Sequence, residues 1–155
     1  MKIKKNMIKI ALPLFVLAAF SCAGGAGARS NASFSDVKGR DWVLTEVKSG
    51  SNTVTITRTN ITGEIYTIRF EDDRLSGMAA PNRYFGPYTS GEGHSLSMGS
   101  VANTLMAALF ENEDLKEYDY FTYLGKVTRW ELRKDGKLEL YTSAENGSQV
   151  ILIYS

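Results

Sequence analysis

The chain has 155 residues, 43% of them hydrophobic and 23% charged, and its formal net charge at pH 7 is +1. This length fits one ordinary globular domain. The lysines and arginines form no basic stripe, and neutralising a phosphate backbone requires such clusters, so charge and composition exclude nucleic-acid binding from the predicted functions.

The first 21 residues predict a signal peptide. They contain four lysines and no acid, followed by the apolar run from Ile10 to Phe20, then small residues and the single cysteine, Cys22. This apolar run is well short of the about 20 residues that a membrane-spanning helix needs. Removal of residues 1–21 changes the formal net charge from +1 to −3.

Cys22 and the small residues after it, Ala23 to Gly25, predict a lipoprotein processing site at which the chain is cut before an acylated cysteine. The alternative is ordinary secretion with cleavage after Ala28. Lipidation predicts attachment to the cell envelope, and more than one acyl chain gives firm anchoring. Because Ala23 is not acidic, the outer membrane, on its periplasmic or surface side, is favoured over the inner membrane.

A flexible tether is predicted for residues 22–35 and one folded domain for residues 36–155. The tether consists mostly of Gly, Ala, Ser and Asn, a composition typical of a flexible linker with a reach of roughly 20 Å. The protein is predicted to associate with a membrane through this tether and its lipid, and not through electrostatic attraction.

Alternation of apolar and polar residues with a period of two predicts an antiparallel sheet. Residues 127–154 form its clearest part, a three-stranded meander interrupted by Asp135-Gly136 and by Asn146-Gly147. Both dipeptides favour the positive φ angles of two-residue hairpin turns. Earlier strands are predicted at 41–48, 53–58, 64–71, 74–80, 84–89 and 95–99.

One segment departs from the period of two and predicts an amphipathic helix on the sheet. Acids from Glu111 to Asp114 stand near its start, and Gly125 stands where a C-terminal cap belongs. The sequence leaves open whether a short helical turn at 104–110 precedes this helix. Apolar residues recur at three-residue steps at Leu115, Tyr118, Phe121 and Leu124. The predicted fold class is therefore α+β, mostly β: a strongly curved, barrel-like antiparallel sheet of about eight strands with one packed α-helix.

The stretch from Gly77 to Gly93 combines aromatic residues, prolines and glycines. We interpret it as a bent strand in which Gly77 and Gly86 provide either positive φ or close backbone approach. Tyr84 and Tyr88 would then lie on one face and Phe85 on the other. The competing interpretation is a surface that binds a ligand or a partner. That surface would consist of Asn82, Arg83, Tyr84 and Tyr88.

Several landmarks between residues 36 and 155 carry a resemblance to a known family. Trp42-Val43-Leu44 stands near the domain start, "PNRYFGPYT" in the middle, and "TLMA" at residues 104–107. The chain resembles the META domain family and its HslJ-like bacterial members. The positions that match the family's most specific motif are Asn82, Tyr84, Gly86 and Tyr88.

The resemblance implies an envelope or secreted protein associated with stress tolerance, with no established catalytic activity and no cofactor. Two cysteines that are frequent in the family are replaced here by Pro81 and Ala108. A function that depends on those thiols is therefore excluded for this chain.

Few residues predict chemistry, and no catalytic residue, metal ligand or cofactor is assigned. His94 is the only histidine, so a Ser-His-Asp triad or a zinc site would have to include it. We interpret it as an exposed loop residue. Glu71-Asp72-Asp73 is interpreted as a solvated turn and not as a pair of acid-base carboxylates.

Three functional hypotheses follow. The leading one is a non-enzymatic, lipid-anchored envelope domain that binds an envelope component or protects the envelope under stress. The alternative is a carrier of a small apolar ligand or lipid, with a cavity inside the curved sheet. The third is a hydrolase that uses His94 or an acid pair. The cavity of the carrier would be lined by Tyr66, Phe70, Tyr84 and Trp130.

Overall fold

The computed structural model describes residues 31–57, 66–79, 81–106 and 113–155. The predicted signal peptide and Cys22 lie outside these ranges. The described elements are β1 (Asp41–Ser49), β2 (Asn52–Thr55), β3 (Tyr66–Phe70), β4 (Arg74–Ala79), β5 (Asn82–Ser90), β6 (Leu96–Met98), β7 (Ala102–Asn103), α1 (Glu117–Leu124), β8 (Arg129–Leu132), β9 (Leu138–Ser143) and β10 (Gln149–Tyr154), with short 3-10 turns at Phe34–Asp36 and Glu92–His94.

The strands form one antiparallel sheet that curves back on itself. Its main path contains eight strands in the order β6-β5-β4-β3-β1-β10-β9-β8, while β2 pairs with β1 and β7 with β5. The two ends of the path meet where Ser95 bridges Arg129 and the Leu96 N–H donates to the Thr128 carbonyl at 3.0 Å. The predicted fold class, a curved and nearly closed antiparallel sheet with one helix, is confirmed.

Strand β1 contributes to this curvature because it changes partners along its length. Residues Asp41 to Val43 pair with β3, whereas Leu44 and the residues from Glu46 to Ser49 pair with β10. A register shift between Leu44 and Glu46 separates the two parts. A bulge of this kind bends a strand and increases its twist, so one strand belongs to both halves of the sheet.

The core fills the inside of the curved sheet, with α1 packed over it. Alternate residues of the strands face inward, as their period of two predicts, and α1 adds Tyr120 and Leu124. In the part of the chain that the structure describes, no helix is both long and apolar enough to cross a membrane. The largest fully buried side chains are Trp42, Tyr66, Tyr84, Tyr120, Tyr154, Phe70, Leu44, Ile68, Leu75, Leu96, Leu124 and Leu138.

The folded part extends N-terminally of residue 36, where the tether was predicted to end. Ser33 caps the 3-10 turn that follows it, and Asp36 accepts a hydrogen bond from the Ser33 N–H at 2.9 Å. Phe34 packs against Phe70 and Trp130, with ring centroids 5.2 Å apart in each pair. An aromatic residue at the end of the tether therefore belongs to the core.

The strand predictions are confirmed to within a few residues at each end. The meander of β8, β9 and β10 is also confirmed. The two turns of this meander, however, differ from the prediction. Gly136 and Gly147 have φ angles of 82° and 80°, whereas Asp135 and Asn146 are not among the described residues with positive φ. A two-residue type I′ turn would need positive φ at both positions. Each loop instead has three residues, as in a type I turn that ends in a glycine bulge.

The helix begins later than its sequence pattern indicates. Leu115 is buried, but it precedes α1, and its carbonyl accepts a hydrogen bond from the Tyr66 hydroxyl at 2.5 Å. The Asp114 carboxylate accepts from the Thr57 N–H at 2.8 Å. These bonds fix the segment outside a helix. Tyr118, predicted on the buried face, is 71% exposed. Residues 104–106 are not helical, and 107–110 lie outside the described residues.

Candidate functional site

The four residues predicted as a binding surface lie on β5, but the strand directs them to different faces. Asn82 and Tyr84 are buried, Tyr88 is half-buried, and Arg83 is exposed. Side chains of a strand alternate between its faces, so residues 82 and 84 point into the domain while residue 83 points out. Of these four side chains, Arg83 is therefore exposed to solvent and Tyr88 is partly exposed.

Asn82 uses the full hydrogen-bonding capacity of its side-chain amide. Its oxygen accepts from the Thr104 hydroxyl at 2.9 Å and from the Met106 N–H at 2.7 Å. Its nitrogen donates to the Met106 carbonyl at 3.3 Å and to the Glu117 carboxylate at 3.1 Å. A primary amide offers two acceptor positions and two donor hydrogens, so this buried group is satisfied by four partners in this chain.

The segment that Asn82 holds is an extension of β7. The Thr104 N–H donates to the Arg83 carbonyl at 3.0 Å, and the Arg83 N–H donates to the Thr104 hydroxyl at 3.1 Å. The side-chain amide of Asn82 then bonds to the backbone of Met106, in the place that the backbone of a paired strand would take. The two sequence motifs around Asn82 and around Thr104 therefore form one hydrogen-bonded unit.

Glu117 connects this unit to the first turn of α1. One carboxylate oxygen accepts from Asn82, and the other is buried without a hydrogen-bond partner among the described residues. An acid in the first turn of a helix interacts favourably with the helix dipole. The start of α1 is thus positioned against the start of β5 by a single polar contact.

A cluster of buried tyrosines lies between the sheet and α1. The Tyr84 hydroxyl donates to the Thr67 carbonyl at 2.7 Å and lies 2.9 Å from the Tyr120 hydroxyl. The Tyr154 hydroxyl donates to the Tyr120 hydroxyl at 3.3 Å. The phenol oxygens of Tyr84 on β5, Tyr154 on β10 and Tyr120 on α1 therefore lie together. Their hydrogen-bonded chain ends at the backbone carbonyl of Thr67 on β3.

Burial raises the pKa values of Tyr84, Tyr120 and Tyr154 well above the ordinary value of a phenol. Charge on a neighbouring phenolate would raise them further, because ionisation of one member disfavours ionisation of the next. The three groups are therefore neutral at physiological pH. In the fold they act as hydrogen-bonding core residues.

Gly77 is required by the close approach of Tyr84. A β-carbon on Gly77 would lie 2.0 Å from the Thr67 carbonyl oxygen and 2.6 Å from the Tyr84 hydroxyl oxygen. Gly86 is similarly close to a neighbouring backbone, with 2.9 Å to the Ser100 carbonyl oxygen. Of the two predicted reasons for these glycines, close backbone approach is confirmed. Positive φ is not the reason, since neither glycine is among the described residues with positive φ.

Tyr88 belongs to a second aromatic group at the opposite end of β5. Its ring lies 5.2 Å from that of Phe70 and 5.5 Å from that of Phe34, and its hydroxyl donates to the Glu71 carbonyl. Burial raises the pKa of Tyr88, and nearby Lys38 opposes this rise. Tyr88 therefore closes the end of the core from which the N-terminal segment leaves.

His94 has a structural contact with Trp130. The two rings are stacked with centroids 4.5 Å apart and planes at 12°. His94 has a φ of 65°, the one positive value recorded for a non-glycine residue among those described. It is half-buried and packs beside the bridge that closes the sheet, so its predicted position as an exposed loop residue is only partly correct.

The acids after β3 form surface ion pairs. Glu71 contacts Arg69 at 3.2 Å, and Asp72 contacts Lys38 at 3.3 Å. Lys38, Glu71 and Asp72, together with Gly39 and Asp73, line a shallow surface depression. Over residues 31–57, 66–79, 81–106 and 113–155, no group of His, Cys, Asp or Glu is arranged to hold a metal ion.

Comparison with known proteins now places the chain. The family model described as META domain matches residues 35–153. The chain belongs to the META domain family. An NMR structure of a protein from Burkholderia xenovorans is similar in fold, with a TM-score of 0.61 and 19% sequence identity over 99% of each chain. No curated protein matches the chain at a significant level.

The positions that match the most specific META motif are structural residues in this chain: three are buried and Tyr88 is half-buried. Asn82 and Tyr84 each hold a network, Gly86 permits a close backbone contact, and Tyr88 packs at the end of the core. Thr104 of the second motif bonds directly to Asn82. Sequence reasoning missed this link because residues that are 22 positions apart give no periodic signal.

The residues proposed to line a ligand cavity are packed against other side chains. Tyr66, Phe70, Tyr84 and Trp130 are each at most 2% exposed. The Tyr66 ring lies 4.8 Å from that of Tyr120, and Phe34 occupies the space beside Phe70 and Trp130. These positions give no support to the carrier hypothesis, since their rings pack against Phe34 and Tyr120.

Proposed function

We propose that the chain is a lipid-anchored cell-envelope protein whose META domain is a non-catalytic scaffold, acting in envelope stress tolerance or in binding an envelope component. The observation that carries this proposal is the network of Asn82. The motif that distinguishes the family is used here to join β5, the segment after β7, and α1. It preserves a shape and places no reactive group at the surface.

Location at the envelope is supported by the sequence of the N-terminal region. A short basic and apolar leader precedes Cys22, and a Gly/Ala/Ser-rich tether separates Cys22 from the domain. Acylation of Cys22 would hold the domain at a membrane, and the residue that follows, Ala23, favours the outer membrane. The tether that joins Cys22 to the domain has a reach of roughly 20 Å.

The chemistry of the described residues supports a role without catalysis. The buried phenols of Tyr84, Tyr120 and Tyr154 are bonded to one another and have raised pKa values. His94 is stacked on Trp130 and is not joined to a carboxylate by any hydrogen bond recorded in the described part of the chain. We therefore assign no catalytic residue.

The proposal is tested by complementation of a strain that lacks this protein. We expect the wild type and His94→Ala to restore survival of heat and antibiotic stress, and Cys22→Ser to fail although it accumulates as folded protein. Pull-down of the wild type from detergent-solubilised envelopes should recover a specific envelope component. Loss of function in a folded His94→Ala variant, or full function of Cys22→Ser, would overturn the proposal.

A further inference from the structure

β2 is an edge strand, and among the residues that the structure describes nothing pairs with its free side. It pairs with β1 and with no other described strand. Its four residues, Asn52 to Thr55, are all exposed, so both faces of the strand are open to solvent. An edge of this kind presents unpaired backbone groups to which another strand can add.

The turn between β1 and β2 determines which backbone groups of β2 point toward β1. The turn has two residues, and the first of them, Gly50, has a φ of 59°. In a two-residue hairpin the flanking residues, here Ser49 and Asn52, form a hydrogen-bonded pair. Along an antiparallel strand the backbone groups then point alternately to one side and to the other. Every second residue of β2, counted from Asn52, therefore bonds to β1.

The backbone N–H and C=O groups of Thr53 and Thr55 consequently point away from β1. The Ile56 N–H donates to the Thr45 carbonyl at 2.9 Å, which agrees with this alternation because residues 52, 54 and 56 share one side. Within the described ranges, no hydrogen bond joins the outward groups of Thr53 or Thr55 to another residue. The free edge thus offers two donors and two acceptors.

The free edge lacks the features that protect edge strands from pairing with another chain. Such strands are commonly protected by a charged residue, a proline or a bulge. β2 has the sequence Asn-Thr-Val-Thr, without charge or proline, and its register with β1 is continuous from Asn52 to Thr55. Threonine and valine also favour the extended conformation. The edge is therefore suited to the addition of a strand.

We propose that β2 pairs with β2 of a second copy of this chain, as antiparallel strands related by a two-fold axis at Val54. Thr53 of each copy then faces Thr55 of the other copy, and each of these pairs forms two backbone hydrogen bonds. Val54 faces its counterpart in a non-hydrogen-bonded pair, in which side chains approach closely. The two β1–β2 hairpins join the sheets of the two copies. This inference goes beyond the proposed function, which requires no second copy.

The charges on β1 favour this register over the neighbouring symmetric ones. Lys48 stands beside Thr53, and Glu46 stands beside Thr55. The proposed register therefore aligns Lys48 of one copy with Glu46 of the other, about 14 Å apart at the backbone across three strand spacings. A two-fold axis at Thr53 would align two lysines, and one at Thr55 would align two glutamates. Because Glu46 also contacts Lys137 at 2.9 Å, this pattern favours a register and adds little affinity.

A folded second copy suits this short edge better than a free extended peptide does. The net contribution of each backbone hydrogen bond is modest, and the edge offers only two outward-facing residues. A free peptide would lose conformational entropy on binding, whereas β2 of a second copy is already ordered by its hairpin. Anchoring of both copies in one membrane, as the proposed function has it, would raise their effective concentration further.

Cysteine crosslinking tests the two-fold pairing directly. In the proposed dimer the α-carbons of the two Val54 residues lie about 4.5 Å apart, within the range of a disulfide. The two Asn52 residues are displaced along the strands by about 13 Å, which is too far for a disulfide. Under oxidising conditions we expect Val54→Cys to form at least about tenfold more linked dimer than the matched control Asn52→Cys. Both positions are exposed and lie on the same face of β2.

The two cysteine variants are compared with and without Cys22. In cells the full chain retains Cys22, and the wild type shows how much dimer Cys22 itself forms. The purified mature form, residues 22–155 with Cys22→Ser, contains the whole described core between Val37 and Tyr154. Preferential crosslinking at position 54 in this form supports the pairing even if Cys22 proves not to be acylated. Failure of the anchoring proposal is thereby distinguished from failure of this one.

Sedimentation velocity and amide hydrogen exchange of the purified mature form test the pairing without a crosslink. We expect a monomer–dimer equilibrium in which the Thr53 and Thr55 amides exchange more slowly as the concentration rises. The Val54 amide faces β1 and should not respond. Thr55→Pro removes an outward donor at a position where an edge strand tolerates proline, so it should weaken the dimer at least about tenfold. The control Thr55→Val should dimerise like the wild type.

Three results would overturn the proposal. The first is a purified chain that stays monomeric at every concentration and crosslinks equally at positions 52 and 54. The second is protection of the Thr53 and Thr55 amides that does not depend on concentration, because the edge would then be paired within one chain. The third is a dimer that Thr55→Pro leaves intact, because the interface would then lie elsewhere.

Discussion

The side-chain oxygen of Asn82 accepts a hydrogen bond from the backbone N–H of Met106 at 2.7 Å, and its nitrogen donates to the carbonyl of the same residue at 3.3 Å. Asn82 thus pairs with Met106 as a neighbouring strand would. Together with Thr104, this contact joins the two sequence motifs that identify the family. The unit is central to the fold because it also positions the start of α1 through Glu117.

Asn82→Ala should destabilise the domain by about 3 kcal/mol, because it leaves the Met106 backbone groups and the Glu117 carboxylate without their partner. Urea unfolding followed by circular dichroism measures the change. The matched control is Asn103→Ala, whose exposed amide makes one bond to the Thr104 carbonyl at 3.1 Å. The control should change stability by less than about 0.5 kcal/mol. Equal effects of the two substitutions would refute the role of Asn82.

Gly77→Ala should prevent folding or cost about 3 kcal/mol or more, because its β-carbon would lie 2.0 Å from the Thr67 carbonyl oxygen. This atom belongs to the backbone, so no side-chain rotation relieves the contact. Gly125→Ala is the control: its φ is −64°, and its nearest new contact would be 3.5 Å. Thermal unfolding should show the control at or slightly above wild-type stability. A Gly77→Ala protein with the wild-type melting temperature would contradict the geometry.

The buried tyrosines predict a loss of stability at alkaline pH. Burial raises the pKa values of Tyr84, Tyr120 and Tyr154 in the folded state, whereas unfolded phenols ionise near pH 10. Above about pH 10 the unfolded chain therefore binds fewer protons, and the free energy of unfolding falls as pH rises. Below this pH the contribution is fully present. Three such groups give a slope of about 4 kcal/mol per pH unit.

Tyr154→Phe separates this effect from general alkaline unfolding. The variant removes one ionisable phenol and one hydrogen bond to Tyr120, so it should reduce the slope by about 1.4 kcal/mol per pH unit. Tyr118→Phe, at a position that is 71% exposed, should leave the slope unchanged. Urea unfolding at a series of pH values between about 8 and 11 measures both slopes. Parallel curves for Tyr154→Phe and the wild type would contradict the assignment.

Phe34→Ala should destabilise the domain by about 2 kcal/mol, because Phe34 contacts the rings of Phe70, Tyr88 and Trp130. Denaturant unfolding measures this cost. Phe85→Ala is the control, since Phe85 is 58% exposed on the outer face; its effect on stability should stay below about 0.5 kcal/mol. If Phe34→Ala behaves like the control, the folded domain begins after residue 34.

The sequence predicted the strands because alternation records which side of a sheet is buried. Tyr84 and Tyr88 against Phe85, and the meander after Val127, follow from this rule alone. The start of α1 could not be predicted in the same way. The bonds that hold Asp114 and Leu115 outside the helix come from Thr57 and Tyr66, and no local pattern reveals such distant partners.

The candidate site was only partly predictable for a similar reason. The sequence motif singles out Asn82 and Tyr84, but the local pattern does not decide between a binding surface and a structural role. That decision depends on burial and on Thr104, Tyr120 and Tyr154, which lie far away in the chain. A polar residue on the inward face of a strand was the available signal, since buried amides and phenols require hydrogen-bonding partners.

The measurement that tests the central claim most directly is the mass of the mature N-terminus of the protein isolated from its native membranes. The account predicts a first peptide that begins at Cys22 and carries fatty acyl chains on that residue. A peptide that begins at Arg29, as secretion with cleavage after Ala28 requires, or an intact chain that begins at Met1, would contradict a lipid-anchored domain.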